Sequence, residues 1–406
     1  MPQRSVVTLG ASVLVASLAL AGCGTRGDNG GSTSGGGNKV AKIGVIAPLS
    51  GDLSALGKGI QHSVELAVKQ ANDSKAIPGW TLQVVPKDDQ ATPDVGKNAA
   101  TALAGDKDVV GVVGTLNSSV SQSVQPVLAA ANIVQVSPAN TNPTLTQGAD
   151  FKTAPKRTYP TYFRTCTTDA VQGPFAARYL FQKAGIKSVA TVHDKKTYGQ
   201  GLVEAFTGEF KKLGGTIVDA ETINPDEDKY DAVISKMKPK SPKAVYYGGE
   251  YPQAGPLSQQ MKAAGLNVPL MGGDGIYSPE FIKLAGKTSD GDLATSVGAP
   301  TETLASAKKF VDDYKAANYP DPYEAYGAYS YDAANAIINA LKTSLASAKD
   351  ASSARQATVS AMSKVSFDGA TGKVAFDQYG DTTSRVLTVY QVKSGAWAPI
   401  NTEEFK

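Results

Sequence analysis

The chain has 406 residues, of which 41% are hydrophobic and 19% charged, with a formal net charge of +3. This composition excludes a disordered chain, and the length suffices for two compact lobes. So small a net charge gives no reason to expect nucleic-acid binding, which needs a concentrated basic surface.

The N-terminus predicts secretion. Arg4 precedes an apolar run over residues 6–21, the layout of a signal peptide with a charged segment and a short hydrophobic one. A single transmembrane anchor is the alternative, but the run is near the lower length limit for spanning and lacks a basic stop-transfer flank. The run closes with Leu-Ala-Gly-Cys at 20–23. This resembles a bacterial lipobox, in which the cysteine, here Cys23, is diacylated and becomes the mature N-terminus.

Residues 24–39 are rich in Gly, Ser, Thr and Asn, so they predict a flexible tether with a mean span of roughly 20–25 Å. Apolar runs then alternate with amphipathic segments. Strands are predicted at 42–48, 82–85, 109–113 and 133–136, and helices at 57–72, 94–104 and 118–131. Continuous apolar runs favour parallel strands covered on both faces, and the βαβα rhythm favours a doubly wound lobe.

A polar, Pro- and Lys-rich stretch at 148–162 interrupts the rhythm, which then restarts as a second lobe of the same class. Strands are predicted at 189–192, 216–218, 244–247 and 269–271, and helices at 199–213, 229–237 and 252–264. Helices at 304–316 and 324–345 and strands at 372–376 and 385–392 complete the chain. The fold class is therefore α/β, with two doubly wound Rossmann-like lobes.

Candidate functional residues follow the strands, because ligands of open α/β sheets bind beyond the carboxyl ends of strands. The turns 114–119 and 137–141 offer hydroxyls and free N–H groups for an anion, although ordinary helix capping explains such turns equally well. Glu250 and Asp274 each follow an apolar strand and are flanked by glycines. They are either solvated surface acids or two carboxylates that meet a cationic amine.

Patterns typical of enzymes are absent from the sequence. It contains no Walker-type phosphate loop and no G-x-S-x-G elbow, and residues 57–62 lack the final glycine of a dinucleotide fingerprint. Cys166 and His193 have no third group to orient them as a nucleophilic pair. Cys166 is instead expected to be a small buried residue, and two histidines cannot build a Cys/His metal cluster. We expect a protein without a metal or cofactor, and not an enzyme.

Several segments, taken together and in order, resemble the branched-chain amino-acid-binding proteins of the type I periplasmic-binding fold. They are IAPLSG at 46–51, KDD at 87–89, GTLNSS at 114–119, SPA at 137–139, FRT at 163–165, QGP at 172–174, HDK at 193–195 with YG at 198–199, and VYYGG at 245–249. This resemblance implies two lobes joined by a multi-strand hinge. The N-terminal lobe would comprise 40–167 and 299–384, and the C-terminal lobe 168–298 and 385–406.

The resemblance also implies roles for individual residues. Ser118 corresponds to a serine whose hydroxyl meets the ligand α-carboxylate, and Ala139 to a residue that offers its backbone N–H and C=O. Thr141 corresponds to a residue whose N–H meets the carboxylate and whose hydroxyl meets the amine. Asp274 lies where the family has a glutamate paired with the α-ammonium.

Other positions line the ligand or depart from the family pattern. Tyr198 and Tyr326 correspond to aromatic residues that cover the ligand, and Leu56 and Glu250 stand where better-known members carry tyrosines. With Glu250 and Asp274 both acidic, we expect the two to hold the ligand amine together, and an extra polar or cationic ligand group becomes conceivable.

The resemblance implies a lipid-anchored extracytoplasmic protein that captures an amino acid, with Leu, Ile or Val expected, for an ABC permease and its ATPase. We expect a monomer that contacts the membrane through its lipid and binds no nucleic acid. The alternative is an amino-acid or amide sensor that uses the same fold to signal to a partner.

Lipidation of Cys23 is directly testable. Metabolic labelling with a palmitate analogue is expected to mark the wild-type protein and to leave a Cys23→Ala variant unlabelled and in the soluble fraction. A variant that stays labelled and membrane-bound contradicts the lipobox interpretation.

Overall fold

A computed structural model describes residues 38–406. The predicted signal peptide, Cys23 and nearly all of the predicted tether lie outside the described residues. Within 38–406, no helix has both the length and the apolar character needed to cross a membrane.

The strands and helices alternate along most of the chain. The strands are β1 Lys39–Ala47, β2 Trp80–Asp88, β3 Val109–Gly114, β4 Val134–Ser137, β5 Tyr162–Arg164, β6 Ser188–His193, β7 Thr216–Thr222, β8 Ala244–Gly248, β9 Leu270–Gly272, β10 Leu293–Ser296, β11 Ser366–Gly369, β12 Gly372–Ala375, β13 Val386–Lys393 and β14 Ala396–Glu404. The α-helices are α1 Ser54–Asp73, α2 Pro93–Gly105, α3 Ser118–Ala130, α4 Thr144–Gln147, α5 Asp169–Arg178, α6 Thr197–Lys212, α7 Asp231–Met237, α8 Tyr251–Ala263, α9 Pro279–Ala285, α10 Lys308–Ala317, α11 Gly327–Ser344 and α12 Ala351–Met362.

The first sheet is parallel throughout, with the strand order β2-β1-β3-β4-β5. All six residues of β3 are buried, as expected for a central parallel strand covered on both faces. Helices α11 and α12 return late in the chain to pack on β3 and β4. Gly111 of β3 permits this close approach, because a Cβ there would lie 2.8 Å from Ile337 Cγ2 of α11.

The second sheet has the order β14-β13-β10-β9-β8-β6-β7. Its strands from β6 to β10 are parallel, whereas β13 and β14 add an antiparallel edge. The chain passes between the two sheets after β5, after β10 and before β13. This is the predicted α/β architecture, while the residue limits of the two lobes stay a prediction.

A fully buried arginine, Arg164 at the end of β5, supports the loop that follows β4. Its Nε donates to Asp381 Oδ1 at 2.6 Å, and its Nη1 donates to the carbonyl oxygens of Asn140 at 2.6 Å and Asn142 at 3.0 Å. Asp381 is itself 5% exposed. The buried ion pair therefore fixes the backbone on both sides of Thr141.

We predict that Asp381→Ala lowers the free energy of unfolding by about 3–5 kcal/mol, because it leaves a buried guanidinium without its carboxylate. Urea unfolding of the full-length protein in detergent measures the loss. Asp312→Ala is the control, since the exposed Lys308–Asp312 pair on α10 is worth only about 0.3–0.5 kcal/mol. Equal losses in the two variants would contradict the role given to Arg164.

Candidate functional site

Two loops at the carboxyl ends of β3 and β4 are tied together by side-chain hydrogen bonds. Ser137 Oγ donates to the Thr115 carbonyl at 2.9 Å and accepts from the Asn140 N–H at 2.8 Å. Asn140 Nδ2 donates to the Leu116 carbonyl at 2.8 Å. The loops are thus held side by side at one edge of the first sheet, where the predicted anion-binding turns lie.

These loops face the second sheet across a small cavity with an empty volume of about 270 Å³. The cavity is lined by Leu56, Leu116, Asn117, Ser118, Ala139, Tyr198, Glu250, Asp274, Gly275 and Tyr326. Every one of these residues is buried, so the site is enclosed.

All but one of the predicted site residues line this cavity. The exception is Thr141, which is fully buried two residues beyond Ala139 and does not belong to the lining. The cavity thus brings together residues that lie beside the two sheets and are widely separated in sequence. The ligand roles of all these residues, Thr141 included, stay predictions.

Asp274 is a buried carboxyl group held by hydrogen-bond donors. Its Oδ1 accepts from Gln172 Nε2 at 2.9 Å and from Tyr198 OH at 2.8 Å, and its Oδ2 accepts from Tyr326 OH at 2.8 Å. Gly275 leaves room for this arrangement, because a Cβ there would lie 2.9 Å from Tyr198 Cε1. Burial raises the pKa of Asp274 and the three donors oppose that rise. A cation beside the carboxylate would favour its charged form further.

Glu250 differs from Asp274 because it already has a cation. Its Oε2 lies 3.1 Å from Lys196 Nζ, and its Oε1 accepts from Asn117 Nδ2 at 2.7 Å. We expected Glu250 and Asp274 to share the ligand amine. Among residues 38–406, however, only Glu250 of the two forms an ion pair, so Asp274 is the carboxylate with the greater need for an ammonium. The shared role stays a prediction.

An unsatisfied hydroxyl lies on the side of the first sheet. Within the described part of the chain, Ser118 Oγ is buried and has no hydrogen-bond partner, and the buried Thr141 hydroxyl lies beside the Asp169 carboxyl group. Ser118 is the first residue of α3, and the first N–H groups of a helix have no acceptor within it. Since nearly all buried polar groups are hydrogen-bonded in folded proteins, this end of the cavity is suited to an anionic group with several acceptor atoms.

Several residues that shape the cavity were not predicted from the sequence. Asn117 and Leu116 appeared only within the turn 114–119, Gln172 only as part of the resemblance, and Lys196 not at all. The position of Asn117 immediately before Ser118, after an apolar strand, was the available signal for it. Nothing in the sequence links Lys196 to Glu250.

The residues weighed as a catalytic pair have separate partners. Cys166 is fully buried beside Val297 and Tyr329, and its Sγ donates to the Asn140 carbonyl at 3.4 Å. His193 Nδ1 accepts from the Lys195 N–H at 3.0 Å. Burial raises the pKa of the Cys166 thiol, which disfavours a nucleophilic thiolate. Among residues 38–406, no group of His, Cys, Asp and Glu is arranged to hold a metal ion.

The sequence of this chain is similar to those of known proteins over most of its length. The sequence pattern of the periplasmic binding proteins matches residues 40–396. The Leu/Ile/Val-binding protein homolog 2 of Brucella abortus is 32% identical over 353 residues, which cover 87% of this chain and 90% of that protein. The predicted family resemblance is therefore confirmed.

Two solved structures extend the comparison to the fold. The leucine binding protein of Thermotoga maritima has a TM-score of 0.79 at 26% identity, and the match covers 89% of this chain and 98% of that one. The branched-chain amino acid substrate-binding protein of Streptococcus pneumoniae, solved with isoleucine, has a TM-score of 0.78 at 27% identity and covers 90% and 99%. The predicted fold class is confirmed.

The buried acid Asp169 predicts that the stability of the protein depends on pH. Burial and the nearby charge of Asp274 raise its pKa to about 8. The folded protein therefore binds more protons than the unfolded chain between about pH 4 and 8, and stability falls as the pH rises through that window. Asp169→Asn removes this loss, so the variant is expected to gain stability relative to wild type from pH 5 to pH 8, by a few kcal/mol at most.

Urea unfolding of full-length protein at pH 5 and pH 8 measures this effect. The control is Asp368→Asn, whose carboxylate is 91% exposed and should leave the wild-type pH dependence unchanged. A pH dependence shared by wild type and Asp169→Asn would contradict the prediction.

Proposed function

Because this chain belongs to the periplasmic binding protein family, we propose that it is an extracytoplasmic solute-binding protein that captures an α-amino acid for an ABC importer. The branched-chain amino acids are the first ligands to test, since its relatives are named for Leu, Ile and Val and one was solved with isoleucine. The protein performs no chemistry on its ligand. It requires no cofactor.

The enclosed cavity is the observation that carries this proposal. On one side it offers the N-terminus of α3 and the unsatisfied hydroxyl of Ser118, which suit a carboxylate. On the other side it offers Asp274, with its two tyrosine donors, which suits an ammonium. An anion site and a cation site in the lining of one cavity together complement a small zwitterion.

The same residues explain how binding is coupled to closure. We assign 40–167 and 299–384 to one lobe and 168–298 and 385–406 to the other, so the cavity walls come from both. Asn142 Nδ2 donates to the Thr197 carbonyl at 2.8 Å, and Thr197 Oγ1 donates to Gln122 Oε1 at 3.0 Å. These bonds cross between the lobes beside the cavity. A ligand that touches both lobes stabilises the closed state and shifts the population toward it.

We further propose that the protein works as a monomer anchored to the cell membrane by acylated Cys23. The tether over 24–39 keeps the folded body near an ABC permease and its ATPase, which receive the ligand. Membership of the family supports a place outside the cytoplasm, and the lipobox at 20–23 supports the anchor.

Ser118→Ala is expected to weaken binding of the preferred amino acid at least tenfold. The variant loses a hydrogen bond to the ligand carboxylate, which is worth about 1.5–3 kcal/mol, and about 1.4 kcal/mol corresponds to a factor of ten. Isothermal titration calorimetry on the full-length protein measures the dissociation constant.

Ser119→Ala is the matched control, because Ser119 is the next residue of the same helix but is only partly buried and does not line the cavity. We expect it to bind like wild type. Wild-type affinity in Ser118→Ala would refute the proposed carboxylate site, and the absence of any amino-acid ligand would refute the function.

A further inference from the structure

Part of the cavity wall is not accounted for by the ammonium and carboxylate of an amino acid. Leu56 and Leu116 form an aliphatic surface there, but Asn117 and Glu250 belong to the same wall. Both polar residues are nearly inaccessible, with 3% and 4% of their surface exposed. A site built only for an aliphatic side chain has no need of two buried polar groups.

The orientation of the Asn117 amide is fixed by its neighbour. Its Nδ2 donates to Glu250 Oε1 at 2.7 Å, and a carboxylate accepts hydrogen bonds without donating any. The amide oxygen therefore needs a donor other than Glu250. Within 38–406 this Oδ1 is buried and has no donor, although buried polar atoms in native proteins are nearly always paired.

Glu250 presents acceptor atoms without a net negative charge. Lys196 lies 3.1 Å from its Oε2 and compensates the carboxylate. Asp194 is the other acid beside this pair, and burial together with the charge of Glu250 raises the pKa of Asp194, which favours its protonated form. Glu250, Lys196 and Asp194 together are thus close to neutral. A second ammonium on the ligand would therefore meet no excess of negative charge.

Resting on the proposed function, we propose that the ligand's side chain carries a neutral hydrogen-bond donor, which Asn117 Oδ1 and the Glu250 carboxylate receive. The ligand class is a hydroxyl- or amide-bearing α-amino acid about as large as a branched-chain one. An acidic side chain on the ligand is excluded, because its carboxylate accepts hydrogen bonds and would face Asn117 Oδ1 and the Glu250 carboxylate, which also only accept them. A purely aliphatic ligand of the same shape leaves Asn117 Oδ1 unpaired and binds less tightly.

Isosteric amino acids separate this proposal from simple shape selection. L-Threonine replaces a methyl group of L-valine by a hydroxyl, and L-asparagine replaces the isopropyl group of L-leucine by an amide. Calorimetry on the full-length protein in detergent is expected to show that the polar member of at least one pair binds at least tenfold more tightly. Ratios below tenfold in both pairs overturn the inference but leave the proposed function standing. Failure of all four amino acids to bind overturns the inference, and the proposed function falls as well if no other α-amino acid binds.

A variant tests whether Asn117 is the acceptor. Asn117→Leu is expected to lower the polar-to-aliphatic affinity ratio at least tenfold while still binding the aliphatic amino acid. Asn339→Leu, on α11 and remote from the cavity lining, is the control that keeps the wild-type ratio. An unchanged ratio in Asn117→Leu overturns the assignment, and if that variant does not fold, the wild-type ratios decide.

Discussion

The buried guanidinium of Arg164 is the interaction on which the site depends. It joins three stretches that are far apart in sequence: the end of β5, the loop after β4 and the segment around Asp381. An arginine without solvent needs a full set of acceptors, and here two of the four are backbone carbonyls of the loop that carries Ala139 and Thr141. The hydrogen bonds that satisfy the Arg164 guanidinium therefore also fix the loop after β4. A loop held in this way has less conformational freedom to lose when a ligand binds.

The two buried carboxylates of the cavity have different roles because their neighbours differ. Glu250 is compensated by Lys196, whereas Asp274 is held by two tyrosine hydroxyls and an amide. Hydroxyl donors stabilise a carboxylate without cancelling its charge. Asp274 thus remains an attractive partner for an ammonium, while Glu250 acts chiefly as a hydrogen-bond acceptor. The distinction lies in the surroundings of each acid.

The sequence predicted the parallel core well, because buried parallel strands such as β3 are uninterrupted apolar runs. It did not predict α12, whose Ala- and Ser-rich sequence shows little periodicity, or the polar edge strand β14. Seven of the ten residues that line the cavity followed from the family resemblance, whereas Leu116, Asn117 and Gly275 did not. The ion pair of Lys196 with Glu250 could not be predicted, because residues 54 positions apart meet only once the second sheet has formed. The orientation of Asn117 depends on that same contact.

The buried position of Cys166 also determines how the protein can be observed. Between residues 38 and 406 it is the only cysteine, and its thiol is shielded from solvent. Maleimide dyes would therefore react with cysteines introduced on the surface and leave Cys166 untouched, with no need for a cysteine-free background in this part of the chain. One dye on each lobe, away from Gln122 and Thr197, would turn closure into a change in energy transfer. Opening and closing rates could then be followed on single molecules in the native sequence context.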